Sequence, residues 1–147
     1  MKYTSTSSLP LSQRLVNEYG NFLSQTNWTF YCTLSTRYPL TLNSARRSIA
    51  RLHEFIKINQ KLENEIFWIA EPFDTKYGYH IHALIKLNCL DCVKKKDDVK
   101  KAWQIVTKGR YKEGYNNCLI LPYKANNGGN FYMSKSIGNK DIEYGFL

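Results

Sequence analysis

The 147-residue sequence predicts an α+β domain built on an antiparallel sheet, with elements in the order β-α-β-β-α-β. Three observations carry this expectation. Two aromatic and β-branched runs, Glu65–Glu71 and Tyr77–Leu87, are separated only by the turn-like Pro72-Phe73-Asp74-Thr75-Lys76, which makes an antiparallel hairpin. Two further strand-like runs, Asn27–Ser35 and Asn117–Tyr123, stand before and after that pair. Each gap between a flanking run and the hairpin is filled by an amphipathic, lysine- and arginine-rich stretch of helical period.

The elements follow in order. Pro10–Gln25 spaces Leu11, Leu15, Tyr19, Phe22 and Leu23 as a short amphipathic helix. Asn27–Ser35 is a strand by composition, and a loop containing Pro39 follows. Asn43 is expected to cap a long helix with Ala45, Ile49, Leu52 and Ile56 on one side. Arg46, Arg47, Arg51, Lys57 and Lys61 lie mostly away from that stripe. After the hairpin, Asp91–Lys108 reads as a second helix through Val93, Val99, Ala102, Trp103 and Val106. Asn117–Tyr123 closes the strand set, and Asn130–Ile137 reads as a short helix beyond Asn126-Asn127-Gly128-Gly129. The order matches the split βαβ arrangement, ferredoxin-like or RRM-like, flanked by helices. One domain over residues 1–147 is expected, with a loose tail at about 1–9.

Composition narrows the function classes. Hydrophobic residues at 43% and aromatics at 14% supply one real core, which excludes wholesale disorder. Twenty-one Lys and Arg against 12 Asp and Glu give a formal charge of +9, the balance of a domain that faces a polyanion. No apolar run approaches the roughly 18–20 residues of a membrane span. Met1–Ser8 lacks the apolar stretch of a secretory signal, so Cys32, Cys89, Cys92 and Cys118 are expected as reduced thiols. Cys89 and Cys92 have zinc-knuckle spacing, but no second Cys or His pair accompanies them. The absence of GxxxxGK[ST] argues against a nucleotide-driven motor. Trp28, Trp68 and Trp103 are expected in the core, and His53 as an ordinary helix residue.

The chemistry concentrates at Tyr79–Leu87. Alternation turns Tyr79, Ile81, Ala83, Ile85 and Leu87 toward the core, and projects His80 and His82 together from the other face, beside Lys86. Two imidazoles one pleat apart can share a divalent cation. Glu71 on the neighbouring strand can pair with His80 or with His82, and either register sets its carboxylate beside both rings. Two His and one carboxylate leave metal positions open for catalysis, with Mg²⁺ or Mn²⁺ expected for a phosphate substrate. In the C-terminal helix, Tyr132 and Lys135 fall on one face. A lysine one turn away can favour a phenolate nucleophile or offset charge on a phosphate. Tyr123 and Tyr144 have no basic partner at that spacing.

Together these residues resemble the HUH replication initiators (Rep endonucleases) of rolling-circle plasmids and viruses, over roughly Trp28 to Ile137. Three family motifs recur in order: the strand motif Phe30-Tyr31-Cys32-Thr33-Leu34, the metal motif His80-Ile81-His82, and the nicking motif Tyr132-Met133-Ser134-Lys135. Glu71 stands where relatives carry the acidic third ligand. The order differs from conjugative relaxases, whose tyrosine precedes the histidines, and Lys135 differs from the Gln usual in single-tyrosine HUH transposases.

The resemblance implies the HUH endonuclease fold and a sequence-specific, metal-dependent nickase that joins single-stranded DNA through a 5′-phosphotyrosine at Tyr132. It implies initiation of rolling-circle replication at an origin, a stem-loop among its possible forms. A second subunit could supply the closing nucleophile, and a host or separate helicase the unwinding. The location implied is the cytoplasm of a prokaryotic host, or the nucleus for a eukaryotic virus. Arg46, Arg47, Arg51, Lys108, Arg110 and Lys112 are candidate phosphate contacts. The competing readings are an HUH transposase and a non-catalytic RRM-like nucleic-acid binder.

Overall fold

A computed structural model describes residues 11–107, 118–124 and 141–147. Five antiparallel strands form one sheet in the order β4-β1-β3-β2-β5. They are β1 (Phe30–Leu34), β2 (Asn64–Pro72), β3 (Tyr79–Leu87), β4 (Cys118–Pro122) and β5 (Glu143–Phe146). Three α-helices accompany them among the described residues: α1 (Leu11–Ser24), α2 (Leu42–Ile58) and α3 (Lys96–Val106). The core is therefore β1-α2-β2-β3-α3-β4, the expected α+β order.

Alternation divides the sheet into two faces. Phe30, Cys32, Leu34, Ile66, Trp68, Ala70, Ile81, Ala83, Ile85 and Ile120 point to a first face, where α2 and α3 bury Ile49, Leu52, Ile56, Val99, Ala102 and Trp103. Phe67, Ile69 and Leu84 point to a second face, where α1 contributes Leu23 and Trp28 joins them. All three tryptophans are in the core as expected. Each of two gives its indole N–H to a backbone carbonyl, Trp28 to Leu23 and Trp103 to Ser35, so burial leaves no orphan donor there.

Several local expectations are corrected. Thr41, not Asn43, caps α2: its hydroxyl accepts from the Ser44 N–H while the Ser44 hydroxyl accepts from the Thr41 N–H, a reciprocal capping box. Asn43 instead accepts from the Arg46 guanidinium at 2.7 Å. The second expected helix starts late. Asp91 adopts left-handed backbone (φ 50°), Cys92–Lys95 form a 3-10 turn, and α3 begins only at Lys96.

That same turn brings Cys89 and Cys92 together, Cα atoms 5.5 Å apart and joined as a disulfide. The expectation of four reduced thiols is thereby corrected, and only Cys32 and Cys118 are free. Strand β5 is an addition that the sequence reading lacked. The helix expected at Asn130–Ile137 lies outside the described residues. No described helix is long and apolar enough to cross a membrane.

The β2–β3 hairpin is closed by Gly78, whose carbonyl accepts from the Phe73 N–H at 3.0 Å. Its φ of +108° is glycine territory, and an added Cβ would stand 3.1 Å from the Pro39 Cα. Gly78→Ala should therefore lower unfolding free energy by about 1–3 kcal/mol, read from the shift of the urea midpoint.

Candidate metal centre

Strands β2 and β3 pair through nine residues, with Glu71 opposite His80. Of the two registers open from sequence, the structure adopts the one with the shorter connection. Pairing puts Glu71 and His80 on one rung, and His82 lies one pleat along β3 on the same face. The His80 and His82 Nε2 atoms approach to 3.0 Å, with the rings edge to face. The Glu71 Oε2 stands 3.8 Å from the first and 3.7 Å from the second. Among the described residues these three form the one group of ligating atoms clustered closely enough to hold a metal ion.

The donor set fits a divalent metal. Two imidazole nitrogens 3.0 Å apart span the edge of an octahedron with bonds of about 2.1 Å. The carboxylate is too far from either ring for a good hydrogen bond, yet near enough to neutralise a cation shared among the three.

Each imidazole is held differently. The His82 Nδ1 lies 3.4 Å from both the Tyr31 hydroxyl and the Thr33 hydroxyl, presented by β1 on the same face. His80 has no such partner among the described residues: its Nδ1 is buried without a hydrogen bond. Its ring instead packs on Phe73, centroids 4.8 Å apart, and the Lys76 ammonium sits 4.3 Å from the Phe73 centroid.

Burial pushes the His80 imidazole below its ordinary pKa, an effect larger than the opposing pull of Glu71 and Asp74. The ring therefore stays neutral and keeps a lone pair for a metal to lower pH than a free histidine would.

The other expected site residues are placed as follows. Lys86 pairs with Glu65 at the far end of the hairpin, Nζ to Oε2 3.7 Å, and so does not join the histidines. Arg46, Arg47 and Arg51 are carried by α2 over the first face, opposite the triad. Arg46 is tied to Glu143 of β5 at 3.0 Å, while Arg47 and Arg51 are exposed. Lys108, Arg110, Lys112, Tyr132 and Lys135 lie outside the described residues. Tyr144 contacts Tyr19, hydroxyl to hydroxyl 3.5 Å and rings edge to face. His53 bonds Asn64, Nδ1 to Oδ1 2.8 Å, and so ties α2 to β2.

Tyr31 and Thr33 belong to the strand motif Phe30–Leu34 noted from sequence, whereas a third neighbour of the triad, Phe73, was not singled out. For Tyr31 and Thr33 the signal was present, since alternation turns both away from Phe30, Cys32 and Leu34. For Phe73, a turn residue, there was none. With this geometry in place, comparison with family models, curated proteins and solved structures finds no match.

Two results should follow. Calorimetric titration with Mn²⁺ should show one site, and Glu71→Gln or His82→Ala should weaken it at least about tenfold. The lowered pKa also sets a sign. The unfolded chain binds the His80 proton more readily, so its stability contribution is full above the ordinary value of 6.5 and lost as pH falls through the lower folded value. The decline in urea midpoint from about pH 7 to 5 should therefore be shallower in His80→Gln.

Proposed function

We propose that the protein is a metal-dependent nickase and strand transferase for single-stranded DNA, of the HUH type, with Tyr132 as nucleophile. The observation that carries this reading is the convergence of two imidazoles and one carboxylate on adjacent strands, a donor set that leaves cation positions open. Two nitrogens and one oxygen suit Mn²⁺ better than Mg²⁺, which favours oxygen ligands.

In the proposed reaction, the bound ion would act as a Lewis acid on the scissile phosphate. His80, His82 and Glu71 would hold it, and burial lowers the pKa of His80. The Tyr132 oxygen attacks phosphorus in line and loses its proton to solvent, and the bond to the 3′-oxygen breaks. The 3′-oxygen takes up a proton and leaves as a hydroxyl, while the 5′-phosphate stays on tyrosine. The Lys135 ammonium offsets the charge that gathers on the phosphoryl oxygens. Attack by a 3′-hydroxyl reverses the step without a nucleotide cofactor. A replication origin is the proposed substrate, in the cytoplasm or nucleus that houses the replicating element.

The test is incubation with a labelled pool of single-stranded oligonucleotides and Mn²⁺, followed by a denaturing protein gel. A covalent band is expected, abolished by EDTA and by Tyr132→Phe. Binding to the pool without any adduct would overturn the proposal and leave a nucleic-acid-binding module.

A further inference from the structure

We infer that Tyr31 and Thr33 of β1 are positioning residues that preset His82, and not His80, as the anchoring metal ligand. The inference rests on the metal-centre part of the proposed function and deepens it. It starts from one proton. The two Nε2 atoms are 3.0 Å apart, so without a metal one ring must donate to the other.

Which ring donates is decided at the opposite nitrogens. The His80 Nδ1 is buried with no partner among the described residues. Were it the protonated nitrogen, a buried donor would be orphaned; as a bare acceptor, the penalty is smaller and such cases are commoner. The proton of His80 therefore sits on Nε2 and is donated to the His82 Nε2. That nitrogen accepts, so His82 carries its proton on Nδ1.

The Tyr31 and Thr33 hydroxyl oxygens, each at 3.4 Å, are the acceptors that face this Nδ1–H. Neither contact is short alone, and together they form a forked pair. Both come from positions fixed by the β1–β3 ladder, where Thr33 pairs with His82 and Tyr31 with Leu84.

The two histidines then differ in what a cation asks of them. The His82 Nε2 already turns a lone pair toward the centre, and its tautomer need not change. His80 must move its proton from Nε2 to Nδ1, where no acceptor waits. An outer hydrogen bond of the kind His82 makes fixes the tautomer and raises ligand basicity, and its loss typically costs ten- to a hundredfold in metal affinity. Asymmetric ligation of this sort gives a site that holds the ion by one arm and adjusts the other.

The test uses the full chain with ¹⁵N-labelled histidine, and isosteric variants that spare the strand: Thr33→Val, Tyr31→Phe and their combination. Long-range ¹H–¹⁵N spectra of the metal-free protein should show His82 protonated on Nδ1 and His80 on Nε2. In the double variant the His82 signature should shift toward the other tautomer, with Mn²⁺ affinity down ten- to a hundredfold by calorimetry. Thr33→Ser, which restores a hydroxyl, should stay close to the parent protein in both readouts. Finding His82 protonated on Nε2 in the parent would sink the inference, as would a double variant with unchanged tautomer. If the parent binds no Mn²⁺, the metal reading fails while the tautomer result still decides the role of the β1 hydroxyls. If Mn²⁺ binds but no DNA adduct forms, only the nickase reading is lost.

Discussion

The register of one hairpin controls the chemistry of this molecule. Glu71 and His80 meet because β2 and β3 pair residue against residue from Asn64–Leu87 to Pro72–Tyr79. A slip of one residue would turn both histidines into the first-face core and send Ile81 and Ala83 to the open side. Two constraints forbid it. Ile81, Ala83, Ile85 and Leu87 are buried against α2 and α3, and Gly78 closes the turn in a backbone conformation that other residues rarely adopt. The site is thus set by apolar side chains on the face it does not occupy.

The same division of faces explains why a sheet with little polar interior can carry a polar centre. Where α1 covers the second face, the row runs Phe67 and Leu84, both fully buried. Two residues further along β3 the row becomes His82, which is buried, and then His80, which is half-buried. The centre therefore sits at the margin of a dry cluster. Its low local dielectric keeps an imidazole neutral, while one side remains open to a ligand. The basic helix α2 lies on the other layer. Arg46 ties that layer to the sheet edge through Glu143, and the α2 arginines do not line the metal centre.

Much of this was legible in the sequence, and the reasons are specific. The His80/His82 face and the burial of the three tryptophans follow from period-2 alternation and from size, two signals that need no tertiary context. The Glu71 pairing was legible only to within two registers, because both connection lengths are ordinary and the bond that closes the turn, Phe73 N–H to the Gly78 carbonyl, is a feature of the fold. The α2 cap was misread because Thr41 and Asn43 are both good capping residues, and only the position of Ser44 as reciprocal partner separates them. Strand β5 escaped because four residues, one of them glycine, carry too little alternation to stand out. Its existence depends on Phe67, Trp68 and Ile69 of β2. Phe73 gave no signal, since stacking on His80 is a property of the folded turn.

Strand β5 also bears on how the chain comes to be made. Its partner β2 is synthesised some seventy residues earlier, and the backbone N–H and C=O of Leu147 close the ladder on Ile66. Until β5 is made and pairs, β2 has one open edge, flanked by Phe67 and Ile69 on one side and Trp68 on the other. An unpaired, apolar strand edge is the kind of surface on which nascent chains associate. Pairing of β5 with β2 is thus an event of high contact order that seals an adhesive margin of the sheet.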